Sequence, residues 1–228
     1  MTTRHLRQNV SVADDKHYHN NPVHVVFVHL DLGIGGAEQL VIQLAKASRD
    51  LGHTVDIVTT RCDQDHCFAA VKRPDGEFSN DVYVYGQWIP PNIFGVATAL
   101  MSTVRMIYLT YQVVALRNKP TVGERGRRHH NSADVVVVDV LPTSLPLLLT
   151  FMSTAGILFY CHFPDKLLLR NSRGGIFKMF YRRFLDALEE YTMGLSDTLV
   201  VNSKFTLGAV EKHFPVLSLR RKEQKNIK

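Results

Sequence analysis

The sequence contains few cysteines and few tryptophans. It has three cysteines and one tryptophan in 228 residues. Cys62, Cys67 and Cys161 form no C-x-x-C pair and are too few for a disulfide framework, which favours a reducing compartment. His17 and His19 have no third ligand at a suitable spacing, so we expect no bound metal.

The net positive charge is small outside the last residues of the sequence. The net charge is +6, and residues 217–228 supply +4 of it through five Lys and Arg against one Glu. Because no basic stripe interleaved with aromatic residues is present, nucleic acid is excluded as an expected partner. Residues 1–22 lack the apolar core of a signal peptide and are expected to form a disordered extension. Residues 216–228 are expected to form a basic tail that is solvated or touches an anionic membrane face.

What the sequence does contain is a regular alternation of short apolar runs and amphipathic segments. This alternation predicts, over residues 23–215, an α/β domain with a parallel sheet and helices on both faces. The expected strands are His24–Leu30, Thr54–Thr60, Val82–Tyr85, Asp134–Asp139, Gly156–Cys161 and Thr198–Val201. The expected helices are 37–51, about 93–117, about 143–153, about 176–194 and 203–213. Ligands of such sheets bind outside the carboxyl ends of the strands.

One segment, Ile93–Leu116, is apolar over most of its length and is interrupted by Arg105 and Gln112. Its length would suffice to cross a bilayer, but an arginine near the centre is costly in hydrocarbon. We therefore expect membrane association through a helix partly embedded in one leaflet. The alternative is a helix that packs on the sheet.

A glycine-rich junction follows the first expected strand. Gly33, Gly35 and Gly36 stand directly before a helix with apolar residues at helical spacing. Glycine lets a ligand approach the backbone closely, and a helix N-terminus offers unpaired N–H groups to a phosphate or diphosphate. The alternative is a tight turn that binds nothing.

Three polar residues stand at the carboxyl ends of later strands. Asp139 ends the fourth strand, His162 follows the fifth, and Lys204 follows the sixth. His162 could donate to a sugar hydroxyl or a phosphate, and Lys204 could meet a phosphate. The alternatives are a turn histidine with one structural hydrogen bond, and a solvated lysine beside a helix cap at Asn202 or Ser203.

The expected helix at about 176–194 carries a cluster of carboxylates. Its spacing favours an exposed face with an ordinary ion pair between Arg182 and Asp186. Glu190 is kept as a candidate acceptor contact.

Five short motifs, in this order, carry a family resemblance: Gly35-Gly36-Ala37-Glu38, Asp65-His66-Cys67-Phe68, Cys161-His162-Phe163-Pro164-Asp165, Glu189-Glu190-Tyr191-Thr192 and Val201-Asn202-Ser203-Lys204-Phe205-Thr206. With them, residues 23–215 resemble the α-1,3/1,6-mannosyltransferases of dolichol-linked oligosaccharide assembly. These belong to the retaining, two-domain GDP-mannose glycosyltransferases. The third and fifth motifs are specific, whereas the first is shared more widely across the superfamily.

The resemblance implies a GT-B architecture, in which two Rossmann-like domains face each other across a cleft and residues 23–215 form the N-terminal, acceptor-side domain. It implies addition of one α-1,3-linked and one α-1,6-linked mannose from GDP-mannose to Man-GlcNAc₂-diphospho-dolichol. The implied location is the cytosolic face of the endoplasmic reticulum membrane, with other early mannosyltransferases as partners. It also implies retention of anomeric configuration, with no metal or other cofactor.

The resemblance assigns roles to individual residues as well. Gly35 and Gly36 would approach the donor diphosphate, and His162 would contact the transferred mannose as the catalytic residue. The other candidate contacts, to acceptor or phosphate, are Asp139, Asp165, Lys204 and Glu190.

The sequence also departs from the family pattern. The family's second domain, with its donor-binding lysine and paired glutamates, has no counterpart in it, and residues 217–228 do not resemble the family's continuation. Since stabilisation of developing charge is often the largest catalytic term, we expect little transferase activity from this chain alone.

One alternative is a non-catalytic acceptor-binding or scaffold protein at the endoplasmic reticulum membrane. A nicotinamide-dependent oxidoreductase is disfavoured, because Glu38 stands where the third glycine of G-x-G-x-x-G belongs.

Overall fold

Parallel strands form one sheet in the computed structural model, which describes residues 21–93, 97–116, 133–162, 176–215 and 217. The strands of the described part are β1 His24–Asp31, β2 Thr54–Arg61, β3 Val82–Val84, β4 Val135–Asp139, β5 Gly156–Cys161 and β6 Thr198–Val201. Their order is β3-β2-β1-β4-β5-β6, and every neighbouring pair is parallel. The predicted α/β class and all six predicted strands are confirmed, with ends that differ by one residue at most.

The central strand β1 shows why this sequence forms a sheet with two covered faces. Val26 and Val28 belong to one buried cluster, whereas Val25 and Phe27 belong to another on the opposite side. Successive side chains of a strand point to opposite faces, so a continuous apolar run requires packing on both.

Helices supply that packing on each face. Those of the described part are α1 Gly36–Asp50, α2 Thr98–Leu116, α3 Leu145–Phe151, α4 Ile176–Met193 and α5 Lys204–His213. The cluster that holds Val25 also holds Val41 and Ala45 of α1, and the other cluster holds Met106 of α2 and Leu148 of α3. The prediction of helices on both faces is therefore confirmed.

Helix α1 ends as the sequence predicts, at a glycine. Gly52 has φ +87° and donates to the Arg49 carbonyl at 2.8 Å, while His53 donates to the Ser48 carbonyl at 3.1 Å. This pair of hydrogen bonds is a Schellman motif, which favours glycine because of the left-handed φ. The motif directs the chain from α1 into β2.

Helix α2 occupies most of the apolar segment Ile93–Leu116, and it packs on the sheet. Arg105 is only 4% exposed, and its guanidinium donates to both carboxylate oxygens of Asp31 and to the Thr60 hydroxyl. Packing on the sheet was the alternative prediction for this segment. None of the helices in the described ranges is both long and apolar enough to span a bilayer.

The side of α2 that faces away from the sheet is apolar. It carries large side chains that are each more than two-fifths exposed: Leu100, Val104, Ile107 and Tyr111. They recur at the spacing of one helical face, opposite to buried Met106 and Leu109. Arg105 thus fixes which face of α2 is turned outward.

We predict that Arg105→Met lowers the free energy of unfolding by about 2 kcal/mol, because it leaves Asp31 and buried Thr60 without their donor. Urea titration followed by circular dichroism measures the change. The matched control is Arg61→Met, since Arg61 is an exposed arginine 3.6 Å from Asp63 and should contribute less than about 0.5 kcal/mol. Equal losses in the two variants would contradict the structural role given to Arg105.

Candidate functional site

Four ionisable side chains lie together at the carboxyl edge of the sheet, where the strand order reverses. His29 lies near the end of β1, Asp139 ends β4, His162 follows β5, and Glu38 lies in the first turn of α1. β1 and β4 are neighbours, with Val28 opposite Val138, so His29 and Asp139 fall side by side. The reversal point of a doubly wound sheet is where such folds bind ligands.

Hydrogen bonds connect these side chains in a row. Nδ1 of His29 is 2.8 Å from each carboxylate oxygen of Asp139, and Nε2 of His162 is 3.1 Å from Oδ2 of the same carboxylate. Oε1 of Glu38 lies 4.0 Å from Nε2 of His29. The side chains of His29 and Asp139 are 3% exposed, whereas that of His162 is 25% exposed. The row therefore runs from a buried centre to two ends that reach solvent, and we call it the His–Asp row.

Burial and charge act in opposite directions on the two central groups. Burial opposes the charge of His29, but Asp139 and Glu38 nearby outweigh it, and the pKa of His29 is raised above 6.5. Burial likewise opposes the Asp139 carboxylate, but His29 and His162 outweigh it, and the pKa of Asp139 is lowered below 3.8. Both shifts favour the ionised form of the pair. No group of His, Cys, Asp or Glu in the described ranges is arranged to hold a metal ion.

The backbone at Asp139 is held in an uncommon conformation. Val140 has φ +63°, and the Leu141 N–H donates to the Asp139 carbonyl at 2.7 Å. These are features of a classic γ-turn, which is rare and is strained for a β-branched residue. Such strain persists only where surrounding contacts determine it, and it concentrates at functional sites.

The glycine-rich junction leads into α1 beside the His–Asp row. Gly35 is the N-cap in an extended conformation, φ −167°, and a Cβ there would overlap the Glu38 carboxylate. A Cβ at Gly36 would meet nothing within 4 Å, so that position is open to a ligand. Gly33, Gly35 and Gly36 do not use left-handed φ values. The role of these glycines is therefore to leave space beside the backbone for a side chain or a ligand.

Lys204 lies at the same edge, three residues after the end of β6. Cys161 of β5 is opposite Val201 of β6, so the residues after the two strands are neighbours. Ser203 caps α5, because its Oγ accepts from the Thr206 N–H at 3.1 Å. This confirms the predicted cap and leaves Lys204 exposed at the first position of the helix.

Two other predicted contacts lie elsewhere. Glu190 is three residues from the end of α4, which leads into the amino end of β6, so the structure places Glu190 toward the opposite edge from His162. Asp165 lies outside the described residues, as do residues 1–20 and 218–228. The side chains of Arg182 and Asp186 also lie outside them.

Sequence reasoning missed His29 and the part played by Glu38. A usable signal was present, because a histidine interrupts the otherwise apolar run of β1 one residue before its final leucine. Parallel strands buried on both faces are nearly continuous apolar runs, so a polar residue near their carboxyl end indicates a paired or functional group.

Comparison with known proteins identifies the family of the chain and several related sequences. The family model described as Glycosyltransferase Family 4 matches residues 34–220. Among curated proteins, the chain is similar to the α-1,3/1,6-mannosyltransferases of Schizosaccharomyces pombe (42% identical over 194 residues) and Saccharomyces cerevisiae (39% identical over 194 residues). It is also similar to that of Debaryomyces hansenii, at 42% identity over 198 residues.

These alignments cover most of this chain and a smaller part of the relatives. They include 85%, 85% and 86% of the chain, but 34%, 35% and 38% of the three relatives. The chain thus spans about a third of the length of the curated relatives it matches.

We predict a distinct pH dependence of stability from the buried pair. The folded-state pKa of His29 is raised, so its contribution is complete below 6.5 and is lost as pH rises through the folded value. The free energy of unfolding should therefore fall above pH 6.5, by up to about 1.4 kcal/mol per pH unit, in wild type relative to His29→Asn. Urea titrations at a series of pH values measure both proteins, and parallel profiles above pH 6.5 would refute the assignment.

Proposed function

Because the chain belongs to Glycosyltransferase Family 4, we propose that it acts in mannose transfer during N-glycan precursor assembly. In this proposal, residues 23–215 form the acceptor-side Rossmann-like domain of a GT-B enzyme. The enzyme adds one α-1,3-linked and one α-1,6-linked mannose from GDP-mannose to Man-GlcNAc₂-diphospho-dolichol. It retains anomeric configuration and needs no metal or other cofactor. The observation that carries the proposal is the hydrogen bond of His162 to Asp139, which ends β4 at the reversal point of the sheet.

The proposed site divides recognition of the donor between two features. The first turn of α1 offers backbone N–H groups and a partial positive charge to the diphosphate, with the open position at Gly36 as the point of closest approach. His162 contacts the transferred mannose. Lys204, which follows β6 on the other side of His162 from α1, is a contact to acceptor or phosphate. Gly35 approaches the diphosphate only after the Glu38 carboxylate moves away from it. Asp139 serves the site through His162, with which it is hydrogen-bonded.

We place the protein at the cytosolic face of the endoplasmic reticulum membrane, where a dolichol-linked acceptor would be held. The exposed apolar side of α2 supports this location, since a contiguous apolar helix face is suited to the boundary between headgroups and acyl chains. Other early mannosyltransferases are proposed partners.

The experiment that tests the transfer reaction compares two glycines with equally open surroundings. Gly36→Ala should raise the KM for GDP-mannose about tenfold, or roughly 1.4 kcal/mol, because its methyl group narrows the approach of the diphosphate. Gly208→Ala in α5 is the control, since a Cβ there also meets nothing within 4 Å. Mannose transfer to Man-GlcNAc₂-diphospho-dolichol is measured in membranes that express the protein from its own gene. No transfer with wild type would contradict the function, and equal KM values in the two variants would contradict the site.

The membrane contact is tested separately. Ile107→Glu should lower the binding of the chain to phospholipid vesicles about tenfold, because it replaces an apolar side chain worth about 1.5–3 kcal/mol when buried. The control is Leu51→Glu, at an exposed leucine after α1 on the opposite face of the sheet. Flotation with vesicles of phosphatidylcholine and phosphatidylserine measures binding. Equal losses in both variants, or none in either, would contradict a contact through α2.

A further inference from the structure

Asp139 can act only as a hydrogen-bond acceptor toward its neighbours. Both of its oxygens face Nδ1 of His29 at 2.8 Å, the pair is buried, and the pKa of Asp139 is lowered, so that Asp139 is a carboxylate. A carboxylate has no hydrogen to donate, so the ring nitrogen of His162 that faces it must carry one. That nitrogen is Nε2, at 3.1 Å.

This geometry has a consequence for the other ring nitrogen of His162. In a neutral imidazole, a hydrogen on Nε2 leaves Nδ1 as a lone-pair acceptor. An acceptor can bind a sugar hydroxyl, which donates, but it cannot hydrogen-bond to an anionic phosphate oxygen, which also accepts. The hydrogen on Nε2 therefore selects the chemical class of group that His162 binds.

The charge of His29 keeps this arrangement in place. With His29 protonated, the buried pair is neutral as a whole, and Glu38 lies 4.0 Å from its other nitrogen. Without His29, the Asp139 carboxylate would be buried without its countercharge, and burial favours its protonated form. A protonated Asp139 would donate to Nε2 of His162 and move the imidazole hydrogen to Nδ1.

We propose that His29 and Asp139 are positioning residues that hold His162 in its Nε2–H tautomer, so that Nδ1 accepts a hydrogen bond from a hydroxyl of the transferred sugar. The proposal rests on the proposed function for the identity of that sugar. The tautomer itself depends on the protein alone. His162 is hydrogen-bonded to Asp139, and the centroid of the Tyr160 ring is 5.0 Å from that of its imidazole. The strained turn at Val140 fixes the strand end from which Asp139 reaches both histidines.

The chain provides a matched control at the other end of β1. His24 is also buried, and its Nε2 lies 2.9 Å from Oδ2 of Asp56 on β2. Substitutions of His24 therefore remove a comparable buried histidine–aspartate pair without touching His162. Any loss of stability common to both sites is measured by this control.

The test is NMR of the 228-residue chain labelled with ¹⁵N in its histidines, in which long-range ¹⁵N–¹H correlations distinguish the two tautomers. Wild type should show His162 with its hydrogen on Nε2. In His29→Leu the hydrogen of His162 should move to Nδ1. His29→Asn should retain more of the wild-type tautomer, because its side-chain amide can take the place of the His29 Nδ1–H and donate to Asp139. His24→Leu should leave His162 unchanged.

Two results would overturn the proposal: an Nδ1–H tautomer in wild type, or the same tautomer in wild type and folded His29→Leu. The wild-type spectrum provides a test even where the leucine variant does not fold. Mannose transfer by the protein expressed from its own gene then separates the two hypotheses. A loss of kcat of tenfold or more in His29→Leu, absent in His24→Leu, supports the role in transfer. A changed tautomer with unchanged transfer would refute that role while confirming the positioning of His162.

Discussion

The ion pair between His29 and Asp139 is the constraint around which the carboxyl edge of the sheet is arranged. It joins β1 to β4, the two strands between which the order of the sheet reverses. Two charges at such depth are costly to remove from water, and their attraction offsets that cost only with good geometry and further hydrogen bonds. His162 and Glu38 supply those further contacts, one at each end of the row. His162, the catalytic candidate, therefore helps to stabilise the buried ion pair. As a result, the geometry of the site is coupled to the pairing of β1 with β4.

Much of the fold was predictable because its determinants are local in sequence. A run such as Val135–Asp139 is short, β-branched and apolar, and it specifies a buried strand without knowledge of its neighbours. Gly52 and Ser203 mark helix ends through hydrogen bonds that span only a few residues. These features explain why the strand bounds agree so closely.

The polar contacts were harder to predict because they join residues far apart in the chain. His29 and Asp139 are 110 positions apart, and Arg105 and Asp31 are 74 apart. A sequence shows that Asp139 stands at a strand end, but not which side chain will face its carboxylate. The same limit affected α2. Arg105 was recognised as unsuited to a bilayer, whereas its burial against β1 depended on a partner that only the folded chain identifies.

Within the proposed function, the charges at this edge bear on which part of a nucleotide-sugar would lie beside the His–Asp row. His29 and Asp139 cancel, and Glu38 faces the roughly half positive charge at the N-terminus of α1, so these groups together have no excess of positive charge. A diphosphate placed directly over Glu38 would be repelled by its carboxylate. It would be stabilised only toward Gly36, where the N–H groups of the helix are exposed. A sugar ring is neutral and brings hydroxyl donors, so it suffers no such repulsion beside the row. In the proposed function, the sugar of the donor therefore lies next to His162, and its phosphates lie further along the edge toward Gly36.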